Sequence, residues 1–228
     1  MTTTVRWYGQ SAFLVAADKS VFVDPFGDVS AALGARGLRF DYPPIAGVEA
    51  DLVLVTHEHR DHNGVEAIGG DPPVLRSTAG RLDSPVGEVI AVASEHDDQA
   101  GTTRGPNTIF CFGLDGLRFC HMGDFGQAEL RAAQREAIGA VDVLFVPVGG
   151  EVTIGDTAAA DVVRSVRPRV VVPMHYRTPA IGFLHEPDAF LDALGAPVVR
   201  VDGSEVDVES VLGAAGEPNV ALLAPPGV

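Results

Sequence analysis

An α/β architecture, with sheets covered by helices, is the fold class the sequence predicts, on three observations. Short β-branched or apolar runs recur between turn-forming residues. Helical stretches alternate with these runs along the chain. Several runs, Leu52-Val53-Leu54-Val55 among them, are apolar throughout, the pattern of a strand buried on both faces. The 228 residues, 46% apolar and 21% charged, have globular composition. They suffice for one large domain spanning 1–228 that buries its core without disulfides or other staples.

Strands are predicted over 5–8, 13–16 and 21–23, separated by Gly9-Gln10-Ser11 and Ala17-Asp18-Lys19-Ser20. After Asp24-Pro25-Phe26 the segment 27–50 has no clear period and reads as a long loop with some helix. Residues 52–55 form a buried strand ending at Thr56-His57, and a helix is predicted over 63–68. Strands follow near 74–75 and over 89–93. A hairpin, 109–112 and 117–120, turns at Asp115-Gly116 and leads to His121-Met122-Gly123-Asp124. Helices over 128–138 and 157–166, the second capped by Gly155 or Asp156, flank a buried strand over 144–146. Another buried strand, 170–172, ends in Pro173-Met174-His175. A last helix over 188–194 and a strand over 198–201 follow. Cys111 and Cys120 flank the hairpin turn and would face each other across it. Two cysteines are too few for a disulfide framework, and packed, reduced thiols are expected.

The formal net charge is −15, from 16 basic and 31 acidic residues. Such a surface repels phosphate backbones and anionic headgroups, which argues against nucleic-acid and membrane partners. No run of basic residues forms a local patch. The N-terminal MTTTVRWYGQ lacks the charged and apolar regions of a signal peptide, and no apolar stretch is long enough to span a bilayer. A cytoplasmic location and a small-molecule partner are expected; oligomeric state is not legible.

His57, Asp124 and His175 each lie just past a predicted apolar strand, as do Asp24 and His96. Loops at strand ends are where a rigid scaffold gathers functional side chains. The densest chemistry is His57-Glu58-His59-Arg60-Asp61-His62. Zinc takes imidazole nitrogen and carboxylate oxygen. Residues 57 and 59, two apart in an extended stretch, point to the same side and can grip one ion together. Asp61 and His62, where the chain turns toward the predicted helix, can face a second. One ion could not easily use all four side chains from so short a segment, so the spacing hints at two metals. A polar loop with chance histidines is the competing reading, and the flanking strand and helix argue against it.

His57-x-His59-x-Asp61-His62 after the strand over 52–55 resembles the signature of the metallo-β-lactamase superfamily. Four further positions are similar to that family's pattern, in order over nearly the whole chain. Asp24 matches its early aspartate, His96 in Ser94-Glu95-His96-Asp97 its next metal histidine, Asp124 its bridging aspartate, and His175 its last metal histidine. The resemblance implies a four-layer αβ/βα sandwich with the metals at one edge. It also implies that His57, His59 and His96 hold one divalent ion, Asp61, His62 and His175 a second, and Asp124 both. Asp24 would stand behind them, orienting the loop that carries Asp61 and His62. Zinc is the expected metal, although manganese and iron take similar ligands. Two ions about 3.5–4 Å apart can share a hydroxide and bring its pKa toward neutrality, for attack on carbonyl or phosphorus. Asp61 and Asp124 would be the catalytic carboxylates, Asp124 able to handle a proton.

Arg104-Gly105-Pro106-Asn107-Thr108-Ile109 and Pro147-Val148-Gly149-Gly150 further resemble a branch of small bacterial hydrolases. That branch is related to ascorbate-6-phosphate lactonase and, more distantly, to the phospholipase D acting on N-acyl-ethanolamine lipids. It has Gly-His where this chain has Gly9-Gln10. The resemblance therefore implies metal-dependent hydrolysis of a small ester, lactone or phosphoester. A nuclease-type phosphodiesterase is one alternative, opposed by the acidic charge. Antibiotic hydrolysis is opposed by the missing signal peptide and by Asp124, where secreted β-lactamases typically carry cysteine. An iron-bound redox role belongs to the same fold. A metal-binding protein without turnover is opposed by the complete ligand set, since structural zinc sites are usually closed single-ion sites. Among the remaining polar residues, His121 reads as packing or support and His185 as a solvated loop histidine. Glu58 and Arg60 should point away from the ligands, and Tyr176 reads equally as a packed aromatic or a proton donor.

Overall fold

The computed structural model describes residues 2–35 and 37–227. In chain order, strands β1 (Thr4–Gly9), β2 (Ala12–Ala16) and β3 (Ser20–Val23) lead to helix α1 (Ser30–Gly34). Then come β4 (Val48–Glu49), β5 (Leu52–Val55), β6 (Ile68–Gly69), β7 (Val74–Arg76), β8 (Gly80–Ser84), β9 (Gly87–Glu95), β10 (Pro106–Leu114) and β11 (Leu117–His121). The remainder is α2 (Ala132–Ile138), β12 (Val143–Pro147), α3 (Asp156–Val166), β13 (Val170–Met174), α4 (Asp188–Leu194), β14 (Val198–Val201), β15 (Glu205–Asp207) and β16 (Asn219–Leu223). Among the described residues these strands form a six-stranded sheet, β15-β1-β2-β3-β5-β7, an eight-stranded sheet, β14-β16-β13-β12-β11-β10-β9-β8, and the small pair β4-β6.

The two large sheets pack face to face, and side-chain alternation shows how. Val21, Val23, Leu52 and Leu54 join Phe13 on one side of the six-stranded sheet, in a single core with Phe110, Phe112, Phe119 and Phe145 of the eight-stranded sheet. Phe13 and Phe145 meet with ring centroids 4.7 Å apart. Phe22, Val53 and Val55 point the other way, into a second cluster with Phe26, Phe40, Tyr42, Ile181 and Leu184. β3 and β5 are thus covered on both faces, which explains their unbroken apolar runs. On the far side of the eight-stranded sheet, α3 buries Ala159, Ala160, Val162 and Val163. The architecture is the predicted αβ/βα sandwich. On the six-stranded side, much of the outer layer is the segment 26–45, in which α1 is short. No helix among the described residues is long and apolar enough to cross a membrane.

Pairing direction places the functional loops. β3 and β5 are parallel, with Val23 opposite Leu54, so both chains leave the sheet at one edge. β11, β12 and β13 are parallel to one another. β9 runs antiparallel to β10, which runs antiparallel to β11, so β9 ends at that edge too.

The helix predicted over 63–68 is absent; only a single 3₁₀ turn, Val65–Ala67, forms there. A Cβ on Gly64 would lie 2.1 Å from the Gly27 nitrogen, and the Gly64 N–H donates to the Pro25 carbonyl at 2.7 Å. The segment is therefore clamped to the 25–27 loop instead of coiling, and Gly69-Gly70 ends it. The helix predicted from residue 128 begins at Ala132. Gln127 holds the preceding stretch by accepting from the Glu95 N–H and donating to the Glu129 carbonyl. Cys111 and Cys120 face each other in register as buried free thiols.

Candidate metal centre

The sequence places Asp24, His57, His96, Asp124 and His175 just past strands, and the fold brings those strand ends together. Asp124 sits at the centre. Its Oδ2 lies 3.2 Å from His96 Nε2, 3.3 Å from His62 Nε2, 3.3 Å from His175 Nε2 and 3.9 Å from His57 Nε2. His57 Nε2 is 3.0 Å from His59 Nδ1, and Asp61 Oδ2 is 3.6 Å from His62 Nε2. Of these residues His57, His62, His96, Asp124 and His175 are buried, whereas Asp61 is partly and His59 more fully open to solvent.

Asp24 lies behind this cluster. Its Oδ1 accepts from the Thr56 N–H at 2.8 Å, and its Oδ2 from the Thr56 hydroxyl at 2.7 Å. Oδ2 is also 2.9 Å from His62 Nδ1. Because Thr56 spends its proton on Asp24, its oxygen must accept from His57 Nδ1, 3.0 Å away. One carboxylate thereby places the protons of His57 and His62 on Nδ1 and leaves both Nε2 lone pairs facing Asp124. Thr56 is a residue that sequence reading passed over, as is Ser11, whose hydroxyl donates to Asp124 Oδ1 at 3.3 Å. Asn107, quoted only within a motif, accepts from the Asp124 N–H at 3.0 Å. Each is a small polar residue beside a strand end, but its partner is distant in sequence.

The electrostatics match a site that expects cations. Burial, then repulsion from His62, holds the His57 pKa well below its ordinary value. Burial also opposes charge on Asp61, but His62 outweighs it and keeps the carboxyl ionised below the usual range. Asp124 is likewise held well below the carboxylate range: burial works against it, and His175 and His62 prevail. Burial opposes charge on His62, but Asp124 and Asp61 outweigh it and raise its pKa, so a cation seated there would displace the second proton and take the Nε2 lone pair.

The donor set can be tested directly for fit to metal. His62 Nε2 is buried and has no hydrogen-bond partner. Its neighbours are imidazole nitrogens and carboxylate oxygens, a convergence of lone pairs that a divalent cation satisfies. Two triplets have ligand atoms within 4.8 Å of one another, His57-His59-His96 and His62-Asp124-His175. A third, Asp24-His57-His62, meets the same distance. Both Asp24 oxygens are already committed to Thr56 and His62, so the first two triplets are the ones free to bind. The residues present fit divalent metal.

The other candidates lie apart. His121 Nδ1 accepts from the Gly123 N–H at 3.1 Å, so Nε2 carries the proton and donates to the Ser11 carbonyl at 3.0 Å. His185 is exposed and pairs with Glu151. Tyr176 is buried against Trp7, its hydroxyl donating to the Leu223 carbonyl at 3.4 Å. Glu58 pairs with Arg76 at 3.0 Å, but it and Arg60 both border the cavity that opens over the cluster, so neither turns fully away from the ligands, contrary to expectation. That cavity measures about 360 Å³. Gln10, Arg60, Arg104, His59, Asp61 and Asp124 contribute to its polar lining, and Leu33 and Phe183 are among its apolar residues.

Sheet order, strand-end histidines and a central aspartate define a class of protein, and sequence comparison agrees. A family profile described as the β-lactamase superfamily domain matches residues 4–175. The chain belongs to the metallo-β-lactamase superfamily. Within it, a UPF0173 metal-dependent hydrolase of Thermococcus kodakarensis is 30% identical over 90% of this chain and 99% of its own length. A Thermotoga maritima structure, assigned as a candidate zinc-dependent hydrolase of the superfamily, superposes with a TM-score of 0.74 at 28% identity, covering 97% of this chain and 100% of its own. A metallo-hydrolase from Ignicoccus hospitalis shares the fold at a TM-score of 0.60 and 20% identity, over 100% of this chain and 97% of its own.

Proposed function

We propose that the protein is a metal-dependent hydrolase, holding two divalent cations, zinc foremost, and cleaving a small ester, lactone or phosphoester. The observation that carries this reading is the single Asp124 oxygen met by four imidazole nitrogens within 3.9 Å, under an open cavity. His57, His59 and His96 would hold one ion, Asp61, His62 and His175 the other, and Asp124 both. Ions bound there supply Lewis acidity and lower the pKa of water. Asp124 keeps its Oδ1 on Ser11 and so presents Oδ2 to the cluster. Asp61 lines the cavity as an ionised carboxylate, where it can accept a hydrogen bond from water beside the reacting bond, and Asp124 can handle a proton. The narrower likeness to the lactonase branch, and a cytoplasmic location, belong to this proposal. A nuclease reading is weaker because a net charge of −15 repels a polyanion.

Elemental analysis of protein purified without added metal, run with a panel of p-nitrophenyl acetate, γ-butyrolactone and bis(p-nitrophenyl) phosphate, tests it. Two equivalents of metal and turnover of at least one substrate, lost in His96→Ala, are expected. A fully loaded sample that turns over none of the panel would leave a metal-binding protein without hydrolase activity.

A further inference from the structure

The turn between β1 and β2 holds a group that neither the proposed ligands nor the core uses. Gln10 is 1% exposed and sits in the left-handed region, with φ 51°. Its backbone carbonyl accepts from Trp7 Nε1 at 3.0 Å and from the His175 N–H at 3.2 Å, fixing the residue against the end of β13. The next residue, Ser11, donates to Asp124. Gln10 is thus tied by its main chain to the cluster, in a backbone conformation that a non-glycine residue adopts at some cost. Its side-chain Oε1, however, is buried with no hydrogen-bond partner, and the residue lines the same cavity as His59, Asp61 and Asp124. Buried acceptors are rarely left unmade, because the loss of water is not repaid.

We propose that Gln10 contacts the substrate and sets its specificity: with its carboxamide turned so that Oε1 faces the cavity, it accepts a hydrogen bond from a hydroxyl or amine that the substrate carries near its scissile bond. This rests on the hydrolase reading and narrows it to esters, lactones or phosphoesters with an O–H or N–H donor close to the bond broken. A site with a buried polar group waiting for a substrate donor rejects the analogue that lacks it, since the protein group then stays unpaired. A carboxamide does this without adding charge to the cluster and without titrating near neutral pH.

The test compares γ-butyrolactone with its α-hydroxy and β-hydroxy derivatives on the metal-loaded enzyme and on Gln10→Met, which keeps the chain length and removes the acceptor. The wild-type enzyme is expected to favour at least one hydroxylated lactone by about tenfold or more in kcat/KM. Gln10→Met is expected to lose that preference at unchanged metal stoichiometry. Equal treatment of all three lactones by the wild-type enzyme, or a preference that survives in Gln10→Met, overturns the proposal. A second readout needs no turnover. With glutamine labelled by nitrogen-15, the Gln10 side-chain amide signal is identified by its loss in Gln10→Met. It should move on titration with 2,4- or 3,4-dihydroxybutanoate, the ring-opened products, and stay in place with butanoate. A shift without turnover anywhere in the wider panel keeps Gln10 as a ligand contact and removes the hydrolase reading. Turnover with neither preference nor shift keeps the hydrolase and removes the role of Gln10.

Discussion

Asp24 lines no part of the cavity, yet through Thr56 and directly it fixes which nitrogen of His57 and of His62 carries the proton. Replacing it by asparagine leaves a neutral amide that cannot accept on both sides, so one histidine turns its proton toward the metal position. Asp24→Asn is expected to weaken metal affinity about 10–100-fold, measured by competition with a chromophoric chelator. Thr56→Val cuts only the relay to His57, so its loss should be smaller. Unchanged affinity in Asp24→Asn would remove the tautomer argument. A second residue-scale constraint lies at Gly123, whose φ is 57°. A Cβ there would stand 2.3 Å from Asn107 Oδ1 and 2.8 Å from the Thr56 side chain. Asn107 cannot retreat, because its Nδ2 donates to Ser94 Oγ at 2.7 Å and to the Met122 carbonyl at 2.8 Å. Gly123→Ala should therefore cost about 2–4 kcal/mol, read by denaturant unfolding. A stability within about 0.5 kcal/mol of wild type would mean the Asn107 bracket is not rigid.

At the scale of elements, the strand that ends in a ligand was the legible unit. β3, β5, β12 and β13 announce themselves as continuous apolar runs because both their faces are covered, and β10–β11 by its Asp-Gly turn. β8 escaped because Gly80–Ser84 is an edge strand with no buried residue and no apolar alternation to betray it. β16 went unread although Val220 to Leu223 is apolar, because its place in the sheet depends on β13 and β14 on either side. The false helix at 63–68 failed for a reason invisible locally: the contact that clamps Gly64 comes from the 25–27 loop. The candidate ligands were legible because they cluster in sequence or terminate strands. Ser11 and Thr56 were not, because Ser11 acts only across the sandwich on Asp124 and Thr56 only through Asp24, which the pairing of β3 with β5 brings beside it. The loop after β9 shows the same limit. Asp97 accepts the backbone N–H groups of Gln99, Gly101, Thr103 and Arg104 at 2.7–3.0 Å. The Arg104 amide above all, with the Gln99, Gly101 and Thr103 amides and against the opposing effect of burial, holds its carboxyl at about 2. A carboxyl depressed in the folded state stabilises above its unfolded pKa of about 4 and loses that contribution as pH falls toward about 2. Asp97→Asn should therefore flatten the decline in Tm over that window relative to wild type, at equal metal content. Parallel acid limbs in the two proteins would show that this loop does not contribute.

Over the whole molecule, the candidate metal centre joins what the core already holds together. Asp24 and the histidine-rich turn leave the six-stranded sheet, while His96, Asp124 and His175 leave the eight-stranded one, so each proposed ion draws ligands from both. Below them the Phe13–Phe145 contact and the shared apolar core hold the sheets together without any ion. Removing cations should therefore loosen the rim and leave the fold standing. Ions bound there would answer the several imidazole nitrogens that converge on one Asp124 oxygen. An ion bound only by the native state, at a concentration about 1,000 times its Kd, adds about 4 kcal/mol of stability. For a chain of this length, that is a Tm shift on the order of 10 °C. Calorimetry before and after chelation should show such a drop with unfolding still cooperative. Hydrogen exchange should quicken in residues 57–62 and around His175, while the β10–β11 hairpin stays protected. A Tm indifferent to chelation in protein shown to have carried metal would mean that the ions do not bridge the two sheets, and collapse to an unfolded chain would mean that the core alone cannot hold them.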